Sequence, residues 1–159
     1  MSQVPESLVS KNSLKKKKLT LYWGVEINYK YEDLKNLNED FYTKTECLQL
    51  IPLKKMHSTL LFVGKKENPN EEVFKPYEGK ECKLIIDAFG YSDNALALRV
   101  KSIKIDDNDV PTFATQQHIT VALKTGIQAK DSVLTLTGQG TIVDCCEYTI
   151  IGTIKRFMY

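Results

Sequence analysis

With 159 residues, 42% of them apolar and 26% charged, the chain has the size and composition of one ordinary globular domain, long enough to bury roughly 70% of its unfolded surface in a single core. Its longest apolar runs fall far short of the ~20 residues of a membrane helix, and its N-terminus lacks the apolar centre of a secretory signal. Five of the 22 basic residues, Lys11 and Lys15 to Lys18, and one of the 20 acidic ones, Glu6, lie in residues 1–18, so the remainder holds 17 basic and 19 acidic side chains. A slightly acidic body is not a broad basic platform for nucleic acid.

Residues 1–18 read as a flexible basic tail, in which Lys15 to Lys18 form a solvated leader or a nuclear-localisation-like patch. The domain is expected over 19–159. The four cysteines (Cys47, Cys82, Cys145 and Cys146) show no C-x-x-C spacing. Without a secretion signal they read as reduced thiols of an intracellular, cytoplasmic protein, with the nucleus open to it through the lysine run.

From Leu19 to Asn28 an apolar and aromatic run predicts a strand. Tyr31, Leu34, Leu37, Phe41 and Tyr42, three and four apart among polar residues, predict one helix that ends before Pro52. A strand carrying His57 follows and stops at Gly64. Lys65 to Lys80, with two prolines, reads as a surface loop. Glu81 to Phe89 and Ala95 to Ile105 predict a hairpin turned by Gly90 to Asn94. The polar connection Asp106 to Gln117 delivers the chain to a second histidine strand. Ile127 to Leu136 fits a brief helix, and Gln139 to Cys145 and Tyr148 to Phe157 a final pair of strands. The order predicts an α+β domain of two half-sheets related by approximate two-fold symmetry, with the histidine strands side by side at the centre.

The two histidines, His57 and His118, are the only ones in the chain. Each is followed two residues later by a threonine (Thr59, Thr120) and three later by an apolar residue (Leu60, Val121). Side chains alternate along a strand, so each strand presents an imidazole and a hydroxyl on one face. A lone strand histidine is ordinarily a half-buried surface residue, and the repetition is what argues for chemistry. Two imidazoles converging on one cleft let one act as general base and the other as general acid. Two hydroxyls beside them can donate to the oxygens of a phosphate. Transfer at phosphorus needs this set and requires no metal or other cofactor, and no zinc ligand set of usual spacing remains.

The tetrapeptides His57-Ser58-Thr59-Leu60 and His118-Ile119-Thr120-Val121 resemble the paired H-x-[ST]-x motifs of the 2H phosphoesterase (LigT-like) superfamily, whose members include 2′,3′-cyclic phosphodiesterases of RNA repair and viral enzymes that degrade nucleotide second messengers. The resemblance implies a two-lobed pseudo-symmetric fold over about 19–159, with the histidine strands at a central cleft. It also implies catalytic roles for His57 and His118 and phosphate binding by Thr59 and Thr120. Ser58 stands where the family usually has an apolar residue.

The function expected is a metal-independent phosphodiesterase cleaving a ribonucleotide bond that involves a 2′ oxygen. The acidic body and a stand-alone domain favour a small signalling nucleotide, such as a cyclic dinucleotide or 2′,5′-oligoadenylate, over an RNA end bearing a 2′,3′-cyclic phosphate. No membrane and no obligate protein partner is expected. The other reading is a non-catalytic nucleotide- or RNA-binding module on the same fold. Tyr22, Trp23, Tyr91 and Phe113 are candidates for stacking a base, and Lys124 for holding a phosphate.

Overall fold

The computed structural model describes residues 19–158, apart from residues 35 and 65 and the side chain of Tyr42, so the tail expected over 1–18 lies outside the described residues. Strand β1 (Thr20–Ile27) is followed by two short helices, α1 (Tyr31–Leu34) and α2 (Glu39–Cys47), and by strands β2 (Ile51–Pro52) and β3 (His57–Phe62). After two 3₁₀ turns come β4 (Glu81–Tyr91), β5 (Ala95–Ile105), β6 (Asn108–Asp109) and β7 (His118–Leu123). A third 3₁₀ segment, Ala129–Thr135, leads to β8 (Thr141–Met158). All strands join one antiparallel sheet in the order β2-β7-β5-β4-β8-β1-β3, with β6 added to β5. The result is an α+β fold dominated by its sheet.

The long strands are held in this sheet by the apolar face that each buries. Trp23, Val25, Leu84, Ile86, Ile150 and Ile154 are fully or almost fully buried, and burial of such side chains stabilises by roughly 1.5–3 kcal/mol each. Phe41 of α2 meets Phe89 edge-on at 6.5 Å between ring centres, so the helix packs on the same core. The opposite face carries Glu26, Lys155, Asp87 and Arg99, linked as the ion pairs Lys155–Glu26 and Arg99–Asp87.

Strand β3 ends the hydrogen-bonded path at one side and β7 lies one short strand from its other end. The two nevertheless touch. Ser58 Oγ donates to the His118 carbonyl at 2.7 Å, and the Phe113 amide, just ahead of β7, donates to the Leu60 carbonyl at 2.9 Å. The sheet therefore curls until its ends meet, and a seam with no strand pairing runs between the histidine strands. The histidine strands thus meet from the two ends of the sheet path and not at its centre, and in place of the two half-sheets expected from sequence there is one continuously hydrogen-bonded sheet.

Several elements differ from the sequence expectation. The single helix is two, because Asn38 breaks the run: its backbone is extended and its side chain caps Asp40 N–H at the start of α2. Leu37, counted in the apolar stripe, is left exposed between them. The loop Lys65 to Lys80 is a strap whose Phe74 is fully buried and stacks on Trp23 at 6.0 Å. The connection after β5 begins with a tight hairpin, Asp106 and Asp107 both adopting left-handed geometry (φ 49° and 67°) before β6, as a two-residue primed turn requires. The last pair of strands is one strand, β8, because both parts pair with β4; the register jumps from Ile86↔Tyr148 to Ala88↔Asp144, a bulge that absorbs Cys145 to Glu147.

Of the described glycines, Gly152 is the most closely hemmed in. A Cβ there would run into the Val25 side chain and lie 2.8 Å from the Glu26 carbonyl oxygen. Gly152→Ala is therefore expected to destabilise the fold by about 1–3 kcal/mol, read as a lower denaturant midpoint at unchanged slope; an unchanged midpoint would mean that β1 and β8 are less closely apposed.

Candidate active site

His57 opens β3 and stands opposite Glu26 of β1, so the two side chains share a face of the sheet. Its ring is half-buried against two aromatic side chains, Tyr22 (centroids 5.3 Å apart, stacked) and Phe157 (5.6 Å). Tyr22 and Phe157 also stack on each other at 4.4 Å. Tyr22 and Phe157 are cross-strand partners, and Gly24 borders both rings: a Cβ there would be 3.3 Å from each and 3.0 Å from the Ser58 carbonyl oxygen. The Tyr22 hydroxyl lies 3.4 Å from His57 Nε2. Burial, helped by Glu26, raises the Tyr22 pKa, so at neutral pH the hydroxyl keeps the proton it can offer to that nitrogen. The His57 pKa is lowered, first by burial and then by the charge of His118, while Glu26 opposes the shift.

His118 opens β7 opposite Arg99 of β5. Its Nδ1–H donates to the Gln116 carbonyl at 3.1 Å, which fixes the tautomer and leaves Nε2 with a free lone pair. Burial lowers its pKa, and the bond to Gln116 opposes this. Both histidines open the strands that border the seam, and the charge of His118 is one cause of the lowered His57 pKa. Arg99 itself is turned away from β7, its Nε donating to Asp87 at 2.9 Å and its Nη2 to Asp144 at 3.2 Å.

The two threonines have different surroundings. Thr59 is half-buried opposite Gly24, and its hydroxyl has no hydrogen-bond partner among the described residues. Thr120 is buried, donates to the Ala129 carbonyl at 3.3 Å and lies 2.5 Å from Ser132 Oγ, itself fully buried. Thr59 is thus free to donate to a phosphate, whereas Thr120 must first give up its bond to the 3₁₀ segment. Ser132 carries no sequence signal, because its partnership with Thr120 depends on how that segment folds back over β7.

Of the proposed base-stacking residues, only Tyr22 stands beside a histidine. Trp23 is fully buried and donates its Nε1–H to Glu71 at 2.9 Å, so it cannot receive a base. Tyr91 lies under the Lys44 ammonium at 4.7 Å and beside Phe89. Phe113 packs edge-on against Phe74 at 5.8 Å. Lys124 is exposed just past the end of β7, its amide bonded to Asn94. Sequence reasoning missed Phe157, which becomes visible only through its pairing with Tyr22, and Gln117. A recess of about 470 Å³ lined by Thr20, Val63, Glu71, Lys75 and Arg156 holds neither histidine. Among the described residues no three His, Cys, Asp or Glu side chains are grouped to hold a metal ion, and no helix is long and apolar enough to cross a membrane.

No protein-family model matches the chain, and no curated protein sequence does. A solved structure does match: a fungal RNA kinase, 13% identical, with a TM-score of 0.52 over 98% of this chain and 53% of its own length. The chain thus spans about half the length of that protein and shares the fold of that half.

Proposed function

We propose that the chain is a two-histidine phosphodiesterase of the 2H type, cleaving a ribonucleotide phosphodiester that involves a 2′ oxygen, with a 2′,3′-cyclic phosphate RNA end as its preferred substrate. The observation that carries this reading is the meeting of β3 and β7 across the seam, where Ser58 bonds the His118 carbonyl and each strand opens with the histidine of its own copy of the motif. Residues 19–159 would be the catalytic unit and 1–18 dispensable to it. The fold shared with a fungal RNA kinase supports an RNA end over the small signalling nucleotides that the acidic body favoured, since an end needs only a terminal phosphate in the site and no basic track along a strand.

The surroundings distinguish the two imidazoles. His118, held through Nδ1–H by Gln116, offers the Nε2 lone pair of a general base to a water molecule. His57 has the Glu26 carboxylate on its face, which favours the protonated form of a general acid. The water loses its proton to His118 as its oxygen bonds to phosphorus; the bond from phosphorus to the departing ribose oxygen breaks, and His57 protonates that oxygen. Thr59 donates to a non-bridging oxygen as its charge grows. The imidazoles supply both proton transfers, so excess EDTA should leave turnover unchanged.

Incubation with cyclic-phosphate-ended RNA, 2′,5′-oligoadenylate and cyclic dinucleotides, with products resolved by mass, tests the substrate. Opening of the cyclic phosphate is expected to be fastest; binding without turnover of any of them would favour a non-catalytic module. His57→Ala or His118→Ala should each lower the rate about 10²- to 10⁴-fold, with the double variant hardly worse than the poorer single. Thr59→Ala should cost less, about 10- to 10³-fold. Wild-type turnover by a folded His118→Ala protein would end the mechanism.

Both imidazole pKa values are lowered in the folded protein, and this fixes two pH dependences. One imidazole must be charged while the other is neutral, so kcat/KM should follow a bell whose apex lies on the acid side of about 6.5. Stability follows by linkage: as pH falls below about 6.5 the unfolded chain takes up protons that the folded one resists, so stability is lost with acidification and levels off once the folded groups are protonated. Urea midpoints at pH 7.5 and 5.5 check this, and a fall between them that persists undiminished in a folded His57→Gln/His118→Gln protein would assign it to other groups.

A further inference from the structure

We propose that Ser58 and Gln117 form a clasp across the seam between β3 and β7 that sets the separation of the two imidazoles, which makes them positioning residues for the reaction proposed above. The strands on either side of the seam share no sheet pairing, and the one backbone bond cited across it, from the Phe113 amide to the Leu60 carbonyl, lies ahead of β7 and away from the histidines. Side chains take the place of that pairing. Ser58, fully buried, donates from Oγ to the carbonyl of His118 at 2.7 Å and accepts from Gln117 Nε2 at 2.6 Å. The same amide nitrogen donates to the Thr59 carbonyl at 2.6 Å. One end of the clasp is thus the backbone of the second catalytic residue, and the other lies inside the first motif, one residue from His57.

The composition of the clasp argues for a role in placement. Ser58 occupies a core-facing position at which an apolar side chain would fill the same space without a polar group to satisfy. Gln117, only 8% exposed, has its Oε1 buried with no hydrogen-bond partner among the described residues, a cost that an apolar side chain would avoid. Both polar residues are adjacent to a histidine in sequence, and each is satisfied mainly by the other's strand. Removing either should let the seam relax, and a displacement of about 1 Å between reacting groups can cost about 10²-fold in rate.

The test uses the full chain and an RNA with a 2′,3′-cyclic phosphate end. Ser58→Ala and Gln117→Met should each lower kcat about 10- to 100-fold with KM little changed, and the double variant should be no worse than the poorer single, because the two act as one device. The imidazole titrations, followed by NMR and simple to assign because the chain has two histidines, give a readout independent of turnover. His57 faces Tyr22 and Glu26 from β1, the latter paired with Lys155, and His118 from β7; His118 faces Arg99 from β5, paired with Asp87 and Asp144. Of these, the clasp controls the approach of His118, so in both variants the His57 midpoint should move up toward its ordinary value. Ser58→Thr, which keeps the hydroxyl, should hold both rate and midpoint near wild type. Unmoved midpoints in folded variants overturn the proposal, as does a loss that falls on KM alone or multiplies in the double variant. If Ser58→Ala does not fold, Gln117→Met decides, since it leaves the Ser58 bond to His118 in place. A wild type inactive on the whole substrate panel would remove the proposed function while the titrations still decide the clasp.

Discussion

The structure turns on a seam that strand pairing leaves open. An antiparallel sheet satisfies its amides and carbonyls by pairing, and a curled sheet whose ends meet has two choices: to pair the end strands and close, or to hold them apart. Here β3 and β7 are held apart, and side chains of Ser58 and Gln117 satisfy carbonyls that a closed ladder would have used. The opening matters because both histidines start the strands that border it. A fully paired barrel would bring the same residues together, but would fix their spacing at that of neighbouring strands.

Burial then sets the electrostatics. Packing His57 among Tyr22, Phe157 and the seam removes water from one side of its ring, which disfavours the charged form, and the proximity of His118 adds to the effect. Two half-buried imidazoles that repel each other's charge are unfavourable to hold protonated together. The state in which one is charged and one is neutral is correspondingly the one that acid–base chemistry needs. The aromatic cluster around His57 is bordered in turn by Gly24, where a side chain would crowd the rings of Tyr22 and Phe157. A residue with no chemistry of its own therefore shapes the environment of one that has it.

Much of this was legible in the sequence, and the limits have physical causes. The histidine strands announce themselves through the repeated spacing of His, Thr and an apolar residue, because alternation on a strand is local. The β4–β5 hairpin is likewise local. The continuity of β8 was hidden because Cys145 to Glu147 sit in a bulge that reads as a break when β4 is not in view. The strap residue Phe74 was hidden among prolines and lysines, since its burial depends on Trp23, fifty-one residues earlier. Thr120 looked equivalent to Thr59, and what separates them is Ser132, brought over β7 by a 3₁₀ segment with no periodic pattern. Ser58 looked like a flaw in its motif. Its partner is Gln117, fifty-nine residues away, and the pair is visible only when both strands are placed.

The two copies of the motif also show why a repeated sequence need not make a symmetric site. A strand residue is flanked by the strand beside it, and the flanking strands are not repeats. His57 faces Glu26, with Tyr22 at its Nε2. His118 faces Arg99 and gives its Nδ1–H to the Gln116 carbonyl. A carboxylate on one side favours a bound proton there, and a carbonyl that captures Nδ1–H on the other leaves a lone pair exposed. In the mechanism proposed above, the division of labour between acid and base would therefore be set by β1, β5 and the residue two before His118, outside both tetrapeptides. Exchanging the tetrapeptides between β3 and β7 would leave it in place, whereas changing Glu26 or the path of Gln116 would not.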